Sequence, residues 1–194
     1  MRNYVTNDIL YHMKSLSLTQ PHAIVMVGIP GSGKTFFAKQ FSDTFNAPYV
    51  TINDILPHTK DEQSAHTVTH QHLDELLKTK ASVVVEVDTA TRTARRELAT
   101  RLRNAGYKPL IVWVQTDPDA AFARHKRSGQ SDETFDGQIR RFSPPHESEN
   151  PVVLSGKHTF ATQARVILKH LSAPRAEIAN RKIIPERNHS IQVK

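Results

Sequence analysis

At 194 residues, with 38% hydrophobic and 23% charged residues, the chain is long enough for one domain with its own core and has the composition of an ordinary soluble protein, which excludes disordered and membrane classes. It carries no cysteine, which removes disulfides, thiolate chemistry and cysteine-based zinc sites, and no apolar run approaches the roughly 20 residues that span a bilayer. Its 26 Lys and Arg against 19 Asp and Glu give a formal charge of +7, which points to an anionic partner; a nucleotide alone meets that description.

Ile9, Leu10, Met13 and Leu16 recur at helical spacing after the capping candidates Thr6, Asn7 and Asp8, so residues 1–20 are expected to form an amphipathic helix laid against the core. The N-terminus leads into no signal-peptide apolar segment, and a cytoplasmic location is expected. Pro21 separates this segment from the β-branched run Ala23–Val27. The run leads into Gly28-Ile29-Pro30-Gly31-Ser32-Gly33-Lys34-Thr35, and Phe37, Phe41 and Phe45 follow at helical spacing. Strand, G-x-x-x-x-G-K-[ST] and helix together read as a phosphate-binding loop. A polyphosphate must be wrapped by converging backbone N–H groups, and glycines at 28, 31 and 33 allow that approach with positive φ angles. The helix opening near Lys34 turns its positive end toward the phosphates, Lys34 supplies a mobile point charge for the β/γ oxygens, and the Thr35 hydroxyl is placed for Mg²⁺.

Tyr49–Ile52 predicts a second strand ending at Asn53-Asp54. Residues just past the carboxyl end of a parallel strand face the ligand crevice, which makes Asp54 a candidate base for an attacking hydroxyl. Ala65, Val68, Leu73, Leu76 and Leu77 predict a helix over 61–80, and His66, His70 and His72 on it read as a solvated polar face rather than a metal site. Ser82–Asp88 is an apolar strand ending in an acid, so Asp88 is the expected metal-side carboxylate, with Glu86 sharing the task or buried and paired. Ala94, Leu98, Leu102 and Ala105 share a face of a crossover helix stopped by Gly106. The arginines at 92, 95, 96, 101 and 103 read as its solvated face. Leu110–Val114 predicts a fourth strand, and Asp117-Pro118 a helix start.

On the helix after Pro118, Arg124 and Arg127 are three residues apart and near one face, able to fork onto a phosphoryl group in flight. Arg140 and Arg141 are weaker candidates of the same kind. Val152–Leu154 predicts a fifth strand and Ala164, Ile167, Leu168 and Leu171 a last helix. From Ala173 the pattern dissolves into a basic tail over 173–194. The expected fold is α/β, a P-loop NTPase with a mostly parallel five-stranded sheet and helices on both faces, occupying residues 21–172.

The segment resembles P-loop kinases of the group that includes phage polynucleotide kinases and zeta-toxin-like small ATPases, over about Ala23–Leu171. The residues that carry the likeness are Gly28–Thr35 with its Pro30-Gly31-Ser32-Gly33 core, Asp88-Thr89 after a β-run, Asn104-Ala105-Gly106-Tyr107, the pair Arg124 and Arg127, and Phe142-Ser143-Pro144-Pro145-His146-Glu147. The group carries Arg-Asp-Asp-x-x-Arg after the second strand; here Asn53-Asp54-Ile55-Leu56-Pro57 keeps the acid without the arginines, and Ala90 stands where relatives often place asparagine. The resemblance and the motif together imply ATP with Mg²⁺ as cofactors and transfer of the γ-phosphoryl to a hydroxyl-bearing substrate. Nucleotide binding without efficient transfer and a nucleic-acid 5′-hydroxyl kinase are the alternatives.

Overall fold

The computed structural model describes residues 20–129 and 131–172; the expected N-terminal helix over 1–20 and the basic tail over 173–194 lie outside the described residues, Gln20 apart. Five strands form one all-parallel sheet in the order β2-β3-β1-β4-β5, with β1 His22–Val27, β2 Tyr49–Thr51, β3 Val83–Glu86, β4 Lys108–Gln115 and β5 Val152–Ser155. Every residue of β1 is buried, as a central parallel strand covered on both faces must be, and this accounts for its unbroken apolar run.

Side chains of β1 alternate between two cores. Ile24 and Met26 face one side, where α1 (Lys34–Phe45) brings Phe37, Phe41 and Phe45 against Val112, Val114 and Leu154, and α7 (Phe160–Ser172) adds Ile167 and Leu171. The three phenylalanines stack in series with ring centroids 5.5 and 4.5 Å apart. Ala23, Val25 and Val27 face the other side, under Leu73 and Leu77 of α3 (Glu62–Lys78) and Leu98 and Leu102 of α4 (Arg92–Asn104).

Two predicted strands end early. β2 stops at Thr51, whose side chain accepts from the Asn53 N–H and caps a one-turn helix, α2 (Ile52–Ile55). β3 stops at Glu86, and the next residues turn away over the sheet's carboxyl edge, where the Thr89 hydroxyl donates to the Met26 carbonyl. Asp117 caps α5 (Pro118–Arg127) as its Asp-Pro signal predicts, and a separate helix, α6 (Asp132–Arg141), follows. Among the described residues no helix is long and apolar enough to cross a membrane.

Candidate functional site

Between β1 and α1 the chain makes a tight cradle. Gly28, Gly31 and Gly33 have φ of 153°, 72° and 102°. A Cβ on Gly31 would stand 2.1 Å from the Ala121 carbonyl oxygen of α5, and one on Gly28 would stand 2.7 Å from the Val114 carbonyl oxygen. The loop can therefore close only with glycine at these positions. Its carbonyls are used in holding it shut: Lys34 Nζ donates to Ile29 O at 3.0 Å, Thr116 Oγ1 donates to Ser32 O at 2.9 Å, and the Phe37 N–H donates to Gly33 O. The Ser32 hydroxyl is buried in the cradle without a hydrogen-bond partner. An orphaned hydroxyl beside the first-turn N–H groups of the helix that opens at Lys34 fits an anion of phosphate chemistry. Burial pushes the Lys34 ammonium down from its ordinary value, and the Glu86 carboxylate partly opposes the shift.

Glu86, the last residue of β3, is buried and accepts from two hydroxyls: Thr35 Oγ1 at 2.8 Å and Tyr49 Oη. Burial, then the nearby Glu86 charge, push the Tyr49 phenol far up, so it stays a donor. The carboxylate in contact with Thr35 is thus Glu86. Asp88 stands further out, with its side chain 38% exposed and its Oδ2 3.6 Å from Arg141 Nη2. A hydroxyl and two carboxylates at the carboxyl edge of the sheet are the donor set a hard divalent cation takes, and Thr35, Glu86 and Asp88 are the residues that would hold Mg²⁺. Both acids line a cavity of about 220 Å³ with Lys34, Asn53, His66 and Arg141. Phe142 also borders a second cavity of about 630 Å³, on the β4–β5 side, walled by Ile29, Trp113, Phe135 and Ile139.

Other expected site residues are placed differently from one another. Arg124 reaches the cradle, with Nη1 donating to Gly31 O at 3.5 Å and Nη2 to Gly156 O at 3.3 Å; Arg127 is exposed and its Nε donates back to Ala123 O on its own helix. Asp54 is exposed on α2 and does not line the cavity, whereas its neighbours Ile52 and Asn53 do. The chain turned helical at Thr51 instead of running on as strand, and Thr-x-x-Asp over 51–54 is a capping signature that could have signalled it. His66, expected on a solvated face, instead lines the cavity. Arg95, expected on the same kind of face, is wholly buried, and Arg101 is bonded to Asp74 and His70. Arg95 lies three and seven residues before Leu98 and Leu102, which puts it in the apolar stripe; that spacing was its signal.

A family model described as an AAA domain matches residues 24–145, from the second residue of the strand run to the segment after α6. The chain belongs to this family. The AAA-domain segment contains the whole cradle, both acids and Arg124. No curated protein matches the sequence. Among solved structures the chain is similar to a gluconokinase from Sinorhizobium meliloti 1021, at 17% identity and TM-score 0.59 over 78% of this chain and 91% of that one. It is also similar to a putative kinase from Chloroflexus aurantiacus, at 14% identity and TM-score 0.64 over 79% and 97%. A third is Kti12 from Chaetomium thermophilum in complex with ADP-AlF3, at 16% identity and TM-score 0.64 over 78% and 100%. At these identities the likeness establishes the fold, which is that of P-loop NTPases.

Proposed function

We propose that this AAA-domain protein is an ATP-dependent phosphotransferase that moves the γ-phosphoryl of ATP·Mg²⁺ to a hydroxyl. The observation that carries the reading is the Gly28–Thr35 cradle with Lys34 at its mouth and the Thr35–Glu86 hydrogen bond at its floor. In this reading the backbone N–H groups of Gly31, Gly33, Lys34 and Thr35 bind the phosphates, and Lys34 leaves the Ile29 carbonyl for the β/γ oxygens. Thr35, Glu86 and Asp88 hold the metal side. The ion, when bound, supplies charge neutralisation at the phosphate oxygens. Arg124, already at the Gly31 carbonyl, is the arginine positioned to draw in over the transferring group, with Arg127 in reserve one turn on. Positioning and electrostatics dominate such catalysis, so no covalent nucleophile is needed. The kinases among the structural neighbours support this class.

A nucleotide-binding module without efficient transfer is the second reading, favoured by the exposure of Asp54 away from the cavity, which leaves the expected base off the site. Incubation with γ-labelled ATP, Mg²⁺ and a panel of sugars, nucleosides and 5′-hydroxyl oligonucleotides separates the readings. Label on a small molecule supports the kinase, label on an oligonucleotide supports a nucleic-acid kinase, and bound but untransferred ATP supports the module. Lys34→Ala should abolish nucleotide binding with the circular dichroism unchanged; unaltered affinity in that variant would overturn all three. Asp54→Asn should spare both binding and transfer, because Asp54 stands off the cavity; slowed transfer in that variant would restore it as the base.

A further inference from the structure

Arg95 is the largest fully buried side chain of the described residues, and nothing in the nucleotide reading uses it. A buried guanidinium persists only if its donors are bonded, and this one is bonded throughout. Nε and Nη2 fork onto Glu149 at 2.7 and 3.0 Å, and Nη1 donates to the Thr89 carbonyl at 2.9 Å and to the Ser143 carbonyl at 2.9 Å. Longer bonds reach the Ala90 carbonyl at 3.3 Å and the Pro144 carbonyl at 3.4 Å. These carbonyls come from two separate segments. One is the turn directly after Asp88; the other leaves the end of α6, two residues beyond Arg141. A backbone bond from the Ser143 N–H to the Ala90 carbonyl, 2.9 Å, joins the same two segments.

We propose that Arg95 is a positioning residue of the nucleotide site: by gripping both segments from behind it fixes where Asp88 stands relative to Arg141 across the mouth of the cavity. Glu149 orients the guanidinium for that grip, and its own Oε1 is held by the His146 N–H at 2.8 Å. The fork is specific to arginine, since a lysine ammonium cannot match a carboxylate bidentately and reach carbonyls on both sides. The inference rests on the assignment of Asp88 to the metal side of the bound nucleotide.

The test measures affinity for a fluorescent ADP analogue with EDTA and with Mg²⁺, and the melting temperature, in the full chain. None of the hydrogen bonds of Arg95 goes to the cradle, so Arg95→Lys and Glu149→Gln should bind metal-free nucleotide within about twofold of the unaltered protein. Their gain in affinity on adding Mg²⁺ should fall roughly 10–100-fold, the usual loss when a residue that orients a metal ligand is removed. Should either variant fail to fold, the paired variant Arg95→Met with Glu149→Leu removes the charges together and avoids stranding one of them. In the paired variant the melting temperature should recover while the Mg²⁺-dependent gain stays lost. A full gain there would show that Arg95 only stabilises the fold and would overturn the proposal, as would equal losses with and without Mg²⁺. Asp88→Asn separates the two levels. Loss of the gain in that variant with full gain in the Arg95 variants sinks this inference alone. No gain in the unaltered protein sinks it together with the assignment of Asp88.

Discussion

A methyl group on Gly31 would meet the Ala121 carbonyl at 2.1 Å with φ at +72°, whereas one on Gly129, at φ +79°, meets nothing within 4 Å. Gly31→Ala should therefore cost more than the left-handed backbone strain of about 1–3 kcal/mol, because two backbones must separate, and it should abolish nucleotide binding. Gly129→Ala should cost about 1–2 kcal/mol, the left-handed penalty alone, and leave binding unchanged. Urea denaturation and nucleotide titration of the two variants check both statements. Single residues were unevenly legible. The glycines, Lys34 and Thr35 could be read because their task is local and their spacing is contiguous. Glu86 could be read as an acid at a strand end, but not as the partner of Thr35, because 51 residues separate them and only the β1–β3 pairing brings them together. Asp54 was misplaced by a single local competition, in which Thr51 as a cap turned the backbone before the strand could carry the acid into the crevice.

Among the elements, α1 and α4 show opposite kinds of support. Phe37, Phe41 and Phe45 give α1 a wholly apolar seam, and Phe41 is fully buried between the other two rings. Phe41→Ala should destabilise the protein by about 3–5 kcal/mol in chemical denaturation. The inward face of α4 instead carries a charge, paired with Glu149 from a segment 54 residues away. Hydrogen bonds from Arg95 hold the Glu149 carboxyl below its ordinary range despite an opposing push from burial. A depressed folded value means the stabilisation is complete above the unfolded carboxylate pKa of about 4.3 and is lost as pH falls through the folded value. Glu149→Gln should thus cost about 3–5 kcal/mol at pH 7, and the gap to the unaltered protein should narrow below about pH 4 in denaturation curves taken across pH. The helices themselves were foreseeable from caps and apolar spacing. Their charged contacts were not, because the stripe marks Arg95 as facing inward while nothing local in the sequence names its partner Glu149, 54 residues on.

At the scale of the molecule, the βα alternation made a parallel sheet with covering helices foreseeable, but the order β2-β3-β1-β4-β5 was not, because crossovers of one hand are compatible with several strand orders. Which strand sits in the centre is marked by the one run that is apolar at every position but its first. If the cradle binds nucleotide, folding and binding are linked: ADP at about 100 times its dissociation constant should add about 2.7 kcal/mol. For a domain of this size that raises the melting temperature by roughly 5–10 °C, and Lys34→Ala should show no rise in differential scanning fluorimetry. The chain's single tryptophan stands at the top of β4, level with Val27 at the foot of the glycine loop, and shares a cavity wall with Phe142 at the exit of α6. The fold has thereby installed an optical gauge. Indole emission, which responds to a change of polarity around the ring, reports what enters or leaves that cavity without any attached dye.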